Sequence, residues 1–163
     1  MDRDLILCVV RHGEAEPFAT RDALRPLTRA GMKQVSETAG KLSALCPNVD
    51  CLIASPYLRA QQSADLLEKV LRVKSRDVAN ELTPDFSCQQ TVRFLYEKCQ
   101  CLPFRSLLVV SHLPLVDTLL HNLCGIDYGR YSFATGSAAV MTMDVVASGM
   151  ATLKKLIHSP LSS

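Results

Sequence analysis

Near its start the chain reads Leu5-Ile6-Leu7-Cys8-Val9-Val10-Arg11-His12-Gly13-Glu14. Six apolar residues are followed directly by an arginine, a histidine and a glycine. A short apolar run that is rich in β-branched residues and bounded by glycine is typical of a strand buried on both faces. Gly13 permits a sharp turn after the strand. The pattern therefore predicts a central strand with Arg11 and His12 at its carboxyl end, where open α/β sheets bind ligands.

Arg11 and His12 carry side chains that suit phosphate chemistry. The guanidinium of Arg11 is a planar fork of donors that fits a phosphate or a carboxylate. The ring of His12 titrates near neutral pH, and its nitrogen can attack phosphorus. From these two residues alone, a strand end that carries two polar side chains by chance remains an alternative.

Length and charge limit the classes of protein to which this chain can belong. With 163 residues, the chain is predicted to form a single domain, residues 1–163, around one core. Its hydrophobic content of 48% and charged content of 21% are ordinary for a globular protein. The formal net charge of +2 is too small to favour nucleic acid or a membrane as the main partner, although it leaves room for a local cationic pocket.

Cysteine content and the first apolar run bear on the compartment. The chain has seven cysteines and no Cys-x-x-Cys pair, which favours reduced core thiols over a disulfide or zinc framework. The apolar run that starts at Leu5 follows two acidic residues and is too short for a signal peptide or a membrane span. We therefore expect a cytoplasmic protein.

A second apolar run repeats the arrangement of the first. Ser106 to Val110 is a predicted buried strand, and Ser111-His112 follows it directly. Because the carboxyl ends of parallel strands meet at one edge of a sheet, His112 is expected on the same rim as His12. Two histidines at two strand ends are hard to explain by core packing.

Arg59 stands near the start of a predicted helix. Ser55-Pro56 is typical of a helix start, because serine is a favoured N-cap and proline suits the first turn. The amino terminus of a helix already favours an anion, so a cation there opposes the helix dipole unless an anion lies between them. That conflict makes Arg59 a candidate for anion binding, with an ordinary surface arginine as the alternative.

Three further charged residues are candidates on weaker grounds. Asp22 and Arg25 belong to an irregular loop, Glu14 to Leu27, that is expected to cross the carboxyl end of the first strand. Both can face the same pocket, and solvated loop charges are the alternative. Glu81 opens the turn Glu81-Leu82-Thr83-Pro84 and is a candidate carboxylate for the rim, with a solvated side chain again as the alternative.

The remaining periodic stretches alternate between helices and strands. The predicted segments are a helix from Thr28 to about Leu45, a strand from Val49 to Ala54, a helix from Ser55 to about Arg72, a weak strand from Asp77 to Glu81, helices over Cys88–Cys101 and Pro114–Cys124, and a hairpin of Ser137–Val146 with Met150–His158. This alternation predicts an α/β sandwich with helices on both faces of the sheet. The candidate side chains then emerge on one rim.

Taken together, these motifs resemble the histidine phosphatase superfamily, which has the phosphoglycerate-mutase-like fold. The ordered set is Arg11-His12-Gly13, Leu27-Thr28-x-x-Gly31, Ser55-Pro56-x-x-Arg59-Ala60-x-Gln62 and Ser111-His112. Within the superfamily, the chain more closely resembles the small SixA-type phosphohistidine phosphatases. This resemblance rests on the short length and on the motifs Arg25-Pro26-Leu27-Thr28, Glu81-Leu82-Thr83-Pro84 and Ser111-His112-Leu113-Pro114-Leu115-Val116. The resemblance implies a three-layer α/β/α sandwich with a mostly parallel six-stranded sheet, one antiparallel strand and no large cap domain.

The resemblance also implies roles for individual residues. His12 would be the nucleophile, and Arg11, Arg59 and His112 would bind the phosphoryl oxygens, with His112 charged while it does so. Glu81 stands where larger members have a proton donor. No metal or other cofactor would be needed.

The activity that the resemblance implies is removal of phosphate from a protein phosphohistidine through a phosphohistidine on the enzyme. The expected partner is a histidine phosphotransfer domain of a signalling relay. Larger phosphatases of the superfamily cover the pocket with long insertions, and the segment between Arg59 and Glu81 is too short for one. An uncapped rim is accessible to a side chain presented by another protein. Two alternatives remain: a phosphatase or mutase for small phosphate esters, and a non-catalytic phosphate-binding module.

Overall fold

Strands and helices alternate along the chain in the computed structural model, which describes residues 4–159. In chain order the elements are β1 (Leu5–Arg11), a 3₁₀ turn (Asp22–Leu24), α1 (Arg29–Leu45), β2 (Asn48–Ala54), α2 (Leu58–Glu68), β3 (Arg72–Val78), a second 3₁₀ turn (Asn80–Leu82), α3 (Cys88–Cys101), β4 (Ser106–Ser111), α4 (Leu115–Cys124), β5 (Ala138–Met143) and β6 (Thr152–Ile157).

The strands form one mixed sheet of six, in the order β3-β2-β4-β1-β5-β6. The first four strands of that order are parallel to one another. β5 runs antiparallel to both of its neighbours, β1 and β6. The prediction of a mostly parallel six-stranded sheet with one antiparallel strand is confirmed, and so is the C-terminal hairpin at one edge.

The two faces of the sheet pack against different helices. Along β1, Leu7 and Val9 join the hydrophobic cluster that contains residues of α3 and α4. Cys8 and Val10, which point to the opposite face, join the cluster that contains residues of α1 and α2. A strand that feeds two cores is apolar at successive positions. The three-layer α/β/α sandwich is confirmed, and the structure contains no cap domain between residues 4 and 159.

Residues at the helix ends follow the sequence signals. The side chain of Thr28 accepts a hydrogen bond from the backbone N–H of Gly31 (2.9 Å), so α1 begins where the sequence predicts. Gly125 ends α4 in the left-handed conformation, with φ of 64°. The longest helix, α1, has 17 residues, and over the described range no helix combines the length and apolar character needed to cross a membrane.

The prediction is wrong around β3. The sequence pattern continues a helix to Arg72 and proposes a strand only from Asp77, whereas α2 ends at Glu68 and β3 spans Arg72–Val78. β3 is the edge strand beside β2, and none of its residues is fully buried. Charged side chains on an edge strand discourage pairing with other chains, so such a strand lacks the apolar pattern of a buried one.

Candidate active site

The carboxyl ends of β1, β4 and β2 lie side by side. Arg11 pairs with Ser111 in the β1–β4 register, and the backbone N–H of His12 donates to the Ser111 carbonyl at 3.1 Å. The backbone N–H of Ser55, directly after β2, donates to a carbonyl of β4 at 3.1 Å. The structure thereby brings the two strand-end histidines together: the ring centroids of His12 and His112 are 5.0 Å apart.

His12 is held as a neutral ring by hydrogen bonds at both of its nitrogens. Its Nδ1 lies 2.7 Å from the carbonyl oxygen of Gly13, to which Nδ1–H donates, so Nε2 carries the lone pair. Nε2 accepts a hydrogen bond from Nε–H of Arg59 at 3.3 Å. Burial lowers the pKa of His12 to about 4 despite the bond to Gly13, and the charges of Arg59 and Arg11 add to the lowering. Near neutral pH the neutral form of the ring therefore predominates.

Arg59 connects His12 to the loop between β1 and α1. It lies in the first turn of α2 and is only 3% exposed. Besides Nε–H, its Nη1–H donates to the backbone carbonyl of Asp22 at 2.7 Å, and Nη2–H donates to Oδ2 of Asp22 at 3.1 Å. The carboxylate of Asp22 is an anion beside this cation and offsets the unfavourable interaction of Arg59 with the helix dipole. These three bonds leave two of the five guanidinium N–H groups for a ligand.

Arg11 and His112 each keep one buried nitrogen without a partner. Arg11 donates from Nη1 to the carbonyl of Phe133 at 2.8 Å, but its buried Nε has no hydrogen-bond partner among the described residues. The same holds for Nδ1 of His112. Buried polar atoms are nearly always paired, so two unpaired nitrogens beside His12 indicate a ligand that accepts hydrogen bonds.

Ser55 sets the orientation of His112. Its Oγ accepts from the backbone N–H of Tyr57 at 3.2 Å and lies 2.7 Å from Nε2 of His112. The hydroxyl hydrogen of Ser55 has an acceptor here only if it is donated to Nε2, which assigns the ring hydrogen of His112 to the unpaired Nδ1. Burial, followed by the neighbouring His12 and Arg59, lowers the pKa of His112 to about 2. His112 is therefore neutral in this setting, and the charged form expected while phosphate is bound would be favoured by that anion beside the ring.

Asp22 and Arg25 lie at the outer side of the site. Oδ1 of Asp22 accepts from Nε–H of Arg25 at 2.8 Å, and Nη1 of Arg25 donates to the backbone carbonyl of Glu16 at 3.1 Å. Partial burial raises the pKa of Asp22, but the hydrogen bonds from Arg59 and Arg25 outweigh it, so the pKa lies below its ordinary value. Asp22 is thus an anion that bridges two arginines.

Glu81 is not joined to the other candidates. It lies in the 3₁₀ turn Asn80–Leu82, half-buried, and its carboxylate makes no hydrogen bond or ion pair with any residue from 4 to 159. The turn itself is anchored at the site, because Ser111 donates from Oγ to the carbonyl of Leu82 at 2.6 Å. Its backbone is therefore tied to the end of β4 while its carboxylate stays unengaged.

Two glycines fix the turn that carries His12. A Cβ on Gly13 would lie 2.5 Å from the carbonyl oxygen of Gly31, and a Cβ on Gly31 would lie 2.1 Å from the carbonyl oxygen of Glu14. The N–H of Gly13 also donates to Oγ of Ser63 in α2, at 3.1 Å. The backbones after β1 and at the start of α1 therefore touch directly, which is the close approach that glycine permits.

Two residues of the site have functions that the sequence does not reveal. Ser55 is predicted to cap a helix, but α2 begins at Leu58 and the serine side chain instead contacts His112. Asp117 accepts from the N–H of Phe133 at 2.9 Å and so steadies the carbonyl to which Arg11 donates. The position of Ser55 directly after a β-strand is a weak sequence signal for its contact with His112, whereas no sequence pattern indicates the role of Asp117.

The site combines a neutral histidine ring with donors arranged for an oxyanion. Arg11 and Arg59 supply positive charge beside His12. No cluster of three or more His, Cys, Asp or Glu side chains suited to a metal ion occurs in the described part of the chain. Fixed donors around the reacting group are what phosphoryl transfer requires, since charge spreads over the equatorial oxygens in the transition state.

Comparison with known proteins agrees with this geometry. Residues 7–84 match the family model of the histidine phosphatase superfamily (branch 1). The phosphohistidine phosphatase SixA of Escherichia coli (strain K12) is 32% identical over 145 residues, which cover 86% of this chain and 87% of that protein. A SixA homolog of Haemophilus influenzae is 33% identical over 125 residues, covering 72% and 76%. A solved structure of the protein histidine phosphatase SixA complexed with tungstate superposes with a TM-score of 0.85 at 30% identity, covering 94% of this chain and 97% of the other.

Proposed function

Since this chain belongs to the histidine phosphatase superfamily, we propose that it is a phosphohistidine phosphatase that uses His12 as its nucleophile. The observation that carries the proposal is the pair of unpaired buried donors beside His12, Nε of Arg11 and Nδ1 of His112. A phosphoryl group bound at Nε2 of His12 would accept from both. In support, the structural relative carries tungstate, which is a tetrahedral oxyanion like phosphate.

In the first step, the lone pair on Nε2 of His12 attacks phosphorus and the bond to the substrate's leaving nitrogen breaks. Arg59 gives up its hydrogen bond to Nε2 and turns the same N–H toward a phosphoryl oxygen. Arg11 and His112 donate to the other oxygens, so the developing charge meets fixed donors rather than mobile water. The product is a phosphohistidine at position 12.

In the second step, water attacks the phosphorus on His12 and releases phosphate. His12 then leaves as a neutral ring, because its Nδ1–H remains bonded to the Gly13 carbonyl. Glu81 is the proposed group for handling the proton of the attacking water, since its carboxylate is otherwise unengaged. Asp22 and Arg25 are proposed to contact the part of the substrate that lies outside the phosphoryl pocket.

The proposed substrate is a histidine on another protein, such as a histidine phosphotransfer domain. The absence of a cap over the described residues leaves the rim open to a side chain that projects from a partner. Residues 1–163 act as one domain in this proposal. A reducing cytoplasm is the proposed location because all seven cysteines are free thiols.

A substrate panel in the presence of chelator tests the proposal. We expect the protein to release phosphate from a phosphorylated histidine phosphotransfer domain with much higher kcat/KM than from sugar phosphates. Activity that needs an added divalent metal would contradict the metal-free mechanism. An inactive protein that still binds phosphate would identify a binding module instead.

Hydrolysis of small phosphate esters is the second candidate function. The unengaged carboxylate of Glu81 favours it, because an ester's leaving oxygen needs an acid and a half-buried carboxylate at the rim can supply one. In that case Glu81→Gln would abolish ester hydrolysis. If phosphohistidine is the substrate, Glu81→Gln should slow only the second step, in which Glu81 handles the proton of the attacking water, because imidazole leaves in the first step with less assistance than an alcohol.

A further inference from the structure

Asp22 places an accessible carboxylate beside the nucleophile. Its Oδ2 lies 3.1 Å from Nη2 of Arg59, and Nε of the same guanidinium lies 3.3 Å from Nε2 of His12. The side chain of Asp22 is 59% exposed, whereas His12 is only 6% exposed. One arginine therefore contacts the nucleophile in the interior and a solvent-facing carboxylate at the mouth of the site.

A carboxylate at this position repels the phosphoryl dianion that the site is built to hold. It helps the reaction only if it also meets a favourable group elsewhere in the substrate. In-line transfer puts the leaving group on the side of phosphorus opposite Nε2 of His12. Because His12 is buried, that side faces the mouth, which Asp22 borders.

His12 itself shows what a phosphoryl-carrying imidazole needs. Its Nδ1–H donates to the Gly13 carbonyl at 2.7 Å, which fixes the hydrogen on the nitrogen that does not react. A leaving imidazole is the same ring in the reverse reaction. It departs most readily as neutral imidazole, which requires a hydrogen on its distal nitrogen and an acceptor for that hydrogen.

Building on the proposed phosphohistidine activity, we propose that the Asp22 carboxylate accepts a hydrogen bond from the distal ring N–H of the substrate phosphohistidine and thereby selects phosphoimidazole over phosphate esters. The lone pair of His12 Nε2 forms the new N–P bond. The old N–P bond breaks, and its electron pair stays on the substrate nitrogen. The proton on the distal nitrogen stays in place, so the leaving group is neutral imidazole and no proton is delivered.

An ester fares differently at the same carboxylate. Its leaving oxygen develops negative charge, which an anion beside it opposes, and it carries no N–H to donate. Arg59 and Arg25 keep Asp22 in its anionic form, so Asp22 cannot act as the missing acid. The same residue thus assists one class of leaving group and hinders the other.

The test compares Asp22→Asn with the wild-type enzyme on a phosphorylated histidine phosphotransfer domain and on p-nitrophenyl phosphate, together with affinity for inorganic phosphate. The asparagine keeps an oxygen for Arg59 but removes the charge. We expect kcat/KM for phosphohistidine to fall roughly 10- to 100-fold, as for loss of a hydrogen bond to a charged group. Hydrolysis of the aryl phosphate and affinity for inorganic phosphate should stay equal or rise, since repulsion is removed.

A parallel fall in phosphohistidine turnover and phosphate affinity would overturn the proposal, because Asp22 would then only position Arg59. Unchanged phosphohistidine turnover would overturn it as well. Glu16→Gln, which removes a charge from an exposed side chain on the same loop, is the matched control and should leave all three quantities within about twofold. A wild-type enzyme without activity on phosphohistidine would refute the proposed function itself, which is a different result.

Discussion

Nε of Arg59 lies 3.3 Å from Nε2 of His12, so the cation that would bind the phosphoryl group already holds the nitrogen that would receive it. The guanidinium is kept in place by Asp22 and by the ring of Tyr57, whose centroid lies 4.9 Å from its carbon Cζ. Binding phosphate therefore requires little reorganisation, because one N–H moves from the ring nitrogen to an oxygen bonded to it.

Arg59→Lys tests the fork geometry of this residue. A lysine keeps the charge but cannot reach His12 and both acceptors of Asp22 together. We expect kcat/KM to fall roughly 10- to 100-fold, with weaker phosphate binding measured by calorimetry. Arg93→Lys, in an exposed pair with Glu97, is the control and should behave as wild type. Full activity in Arg59→Lys would contradict a role for the guanidinium of Arg59 in binding the phosphoryl group.

The histidines predict a dependence of stability on pH. The pKa of His12 is lowered to about 4 and that of His112 to about 2, while both rings titrate near 6.5 in an unfolded chain. Below about pH 6.5 the unfolded chain therefore binds more protons than the folded one. The free energy of unfolding should fall as pH decreases from 6.5 to 4, by up to about 1.4 kcal/mol per pH unit for each histidine.

Urea unfolding between pH 7 and pH 4.5, in buffer without phosphate, measures this slope. His12→Asn should remove roughly half of it, because one of the two rings with a lowered pKa is gone. His158→Gln replaces an exposed histidine and should leave the slope unchanged. Equal slopes in all three proteins would show that the strand-end histidines are not the source.

Ser55→Ala tests how His112 is oriented. The change removes the hydroxyl that lies 2.7 Å from Nε2 and frees the ring to take either tautomer. We expect phosphate affinity and kcat/KM to decrease about 3- to 10-fold, in line with one lost neutral hydrogen bond. Ser43→Ala removes an exposed hydroxyl that bonds only to the Gly40 carbonyl, and it should have no effect on activity. Indistinguishable variants would contradict the assigned role of Ser55.

Two glycines of α1 predict opposite outcomes for the same substitution. A Cβ on Gly31 would lie 2.1 Å from the carbonyl oxygen of Glu14, whereas a Cβ on Gly40 meets nothing within 4 Å. Gly31→Ala should lower the free energy of unfolding by about 2–3 kcal/mol and displace His12. Gly40→Ala should raise it by up to about 1 kcal/mol, because alanine favours a helix. Chemical denaturation of both variants decides the matter, and equal effects would refute the close contact.

Much of the fold could be predicted from the sequence because its signals are local. The apolar run of β1 and the side chain of Thr28 depend only on neighbours in the chain, and the structure has both where the pattern puts them. The sequence predicts only the end of β3, as a weak strand from Asp77, because its residues are at most half-buried and its pairing with β2 is a tertiary contact. Arg76 in β3 pairs with Asp65 of α2, which no periodicity reveals.

The residues of the site likewise divide into those that local sequence signals predict and those that depend on tertiary contacts. Arg11, His12 and His112 follow apolar runs, so their place on one rim could be inferred from strand ends alone. The pairing of Asp22 with Arg59 joins residues 37 positions apart through an irregular loop, and loop conformation has no periodic signal. The sequence could suggest Asp22 as a candidate site residue but could not predict that its carboxylate contacts Arg59.

The most direct measurement follows the phosphoryl group itself. A histidine phosphotransfer domain carrying radiolabelled phosphohistidine is mixed with the protein in chelator, and the reaction is quenched in alkali, where phosphohistidine survives. We predict transient label on His12, located by peptide mapping, which then appears as free phosphate, whereas His12→Ala shows neither. Phosphate release by His12→Ala at the wild-type rate, or label on a different residue, would contradict the nucleophilic role of His12.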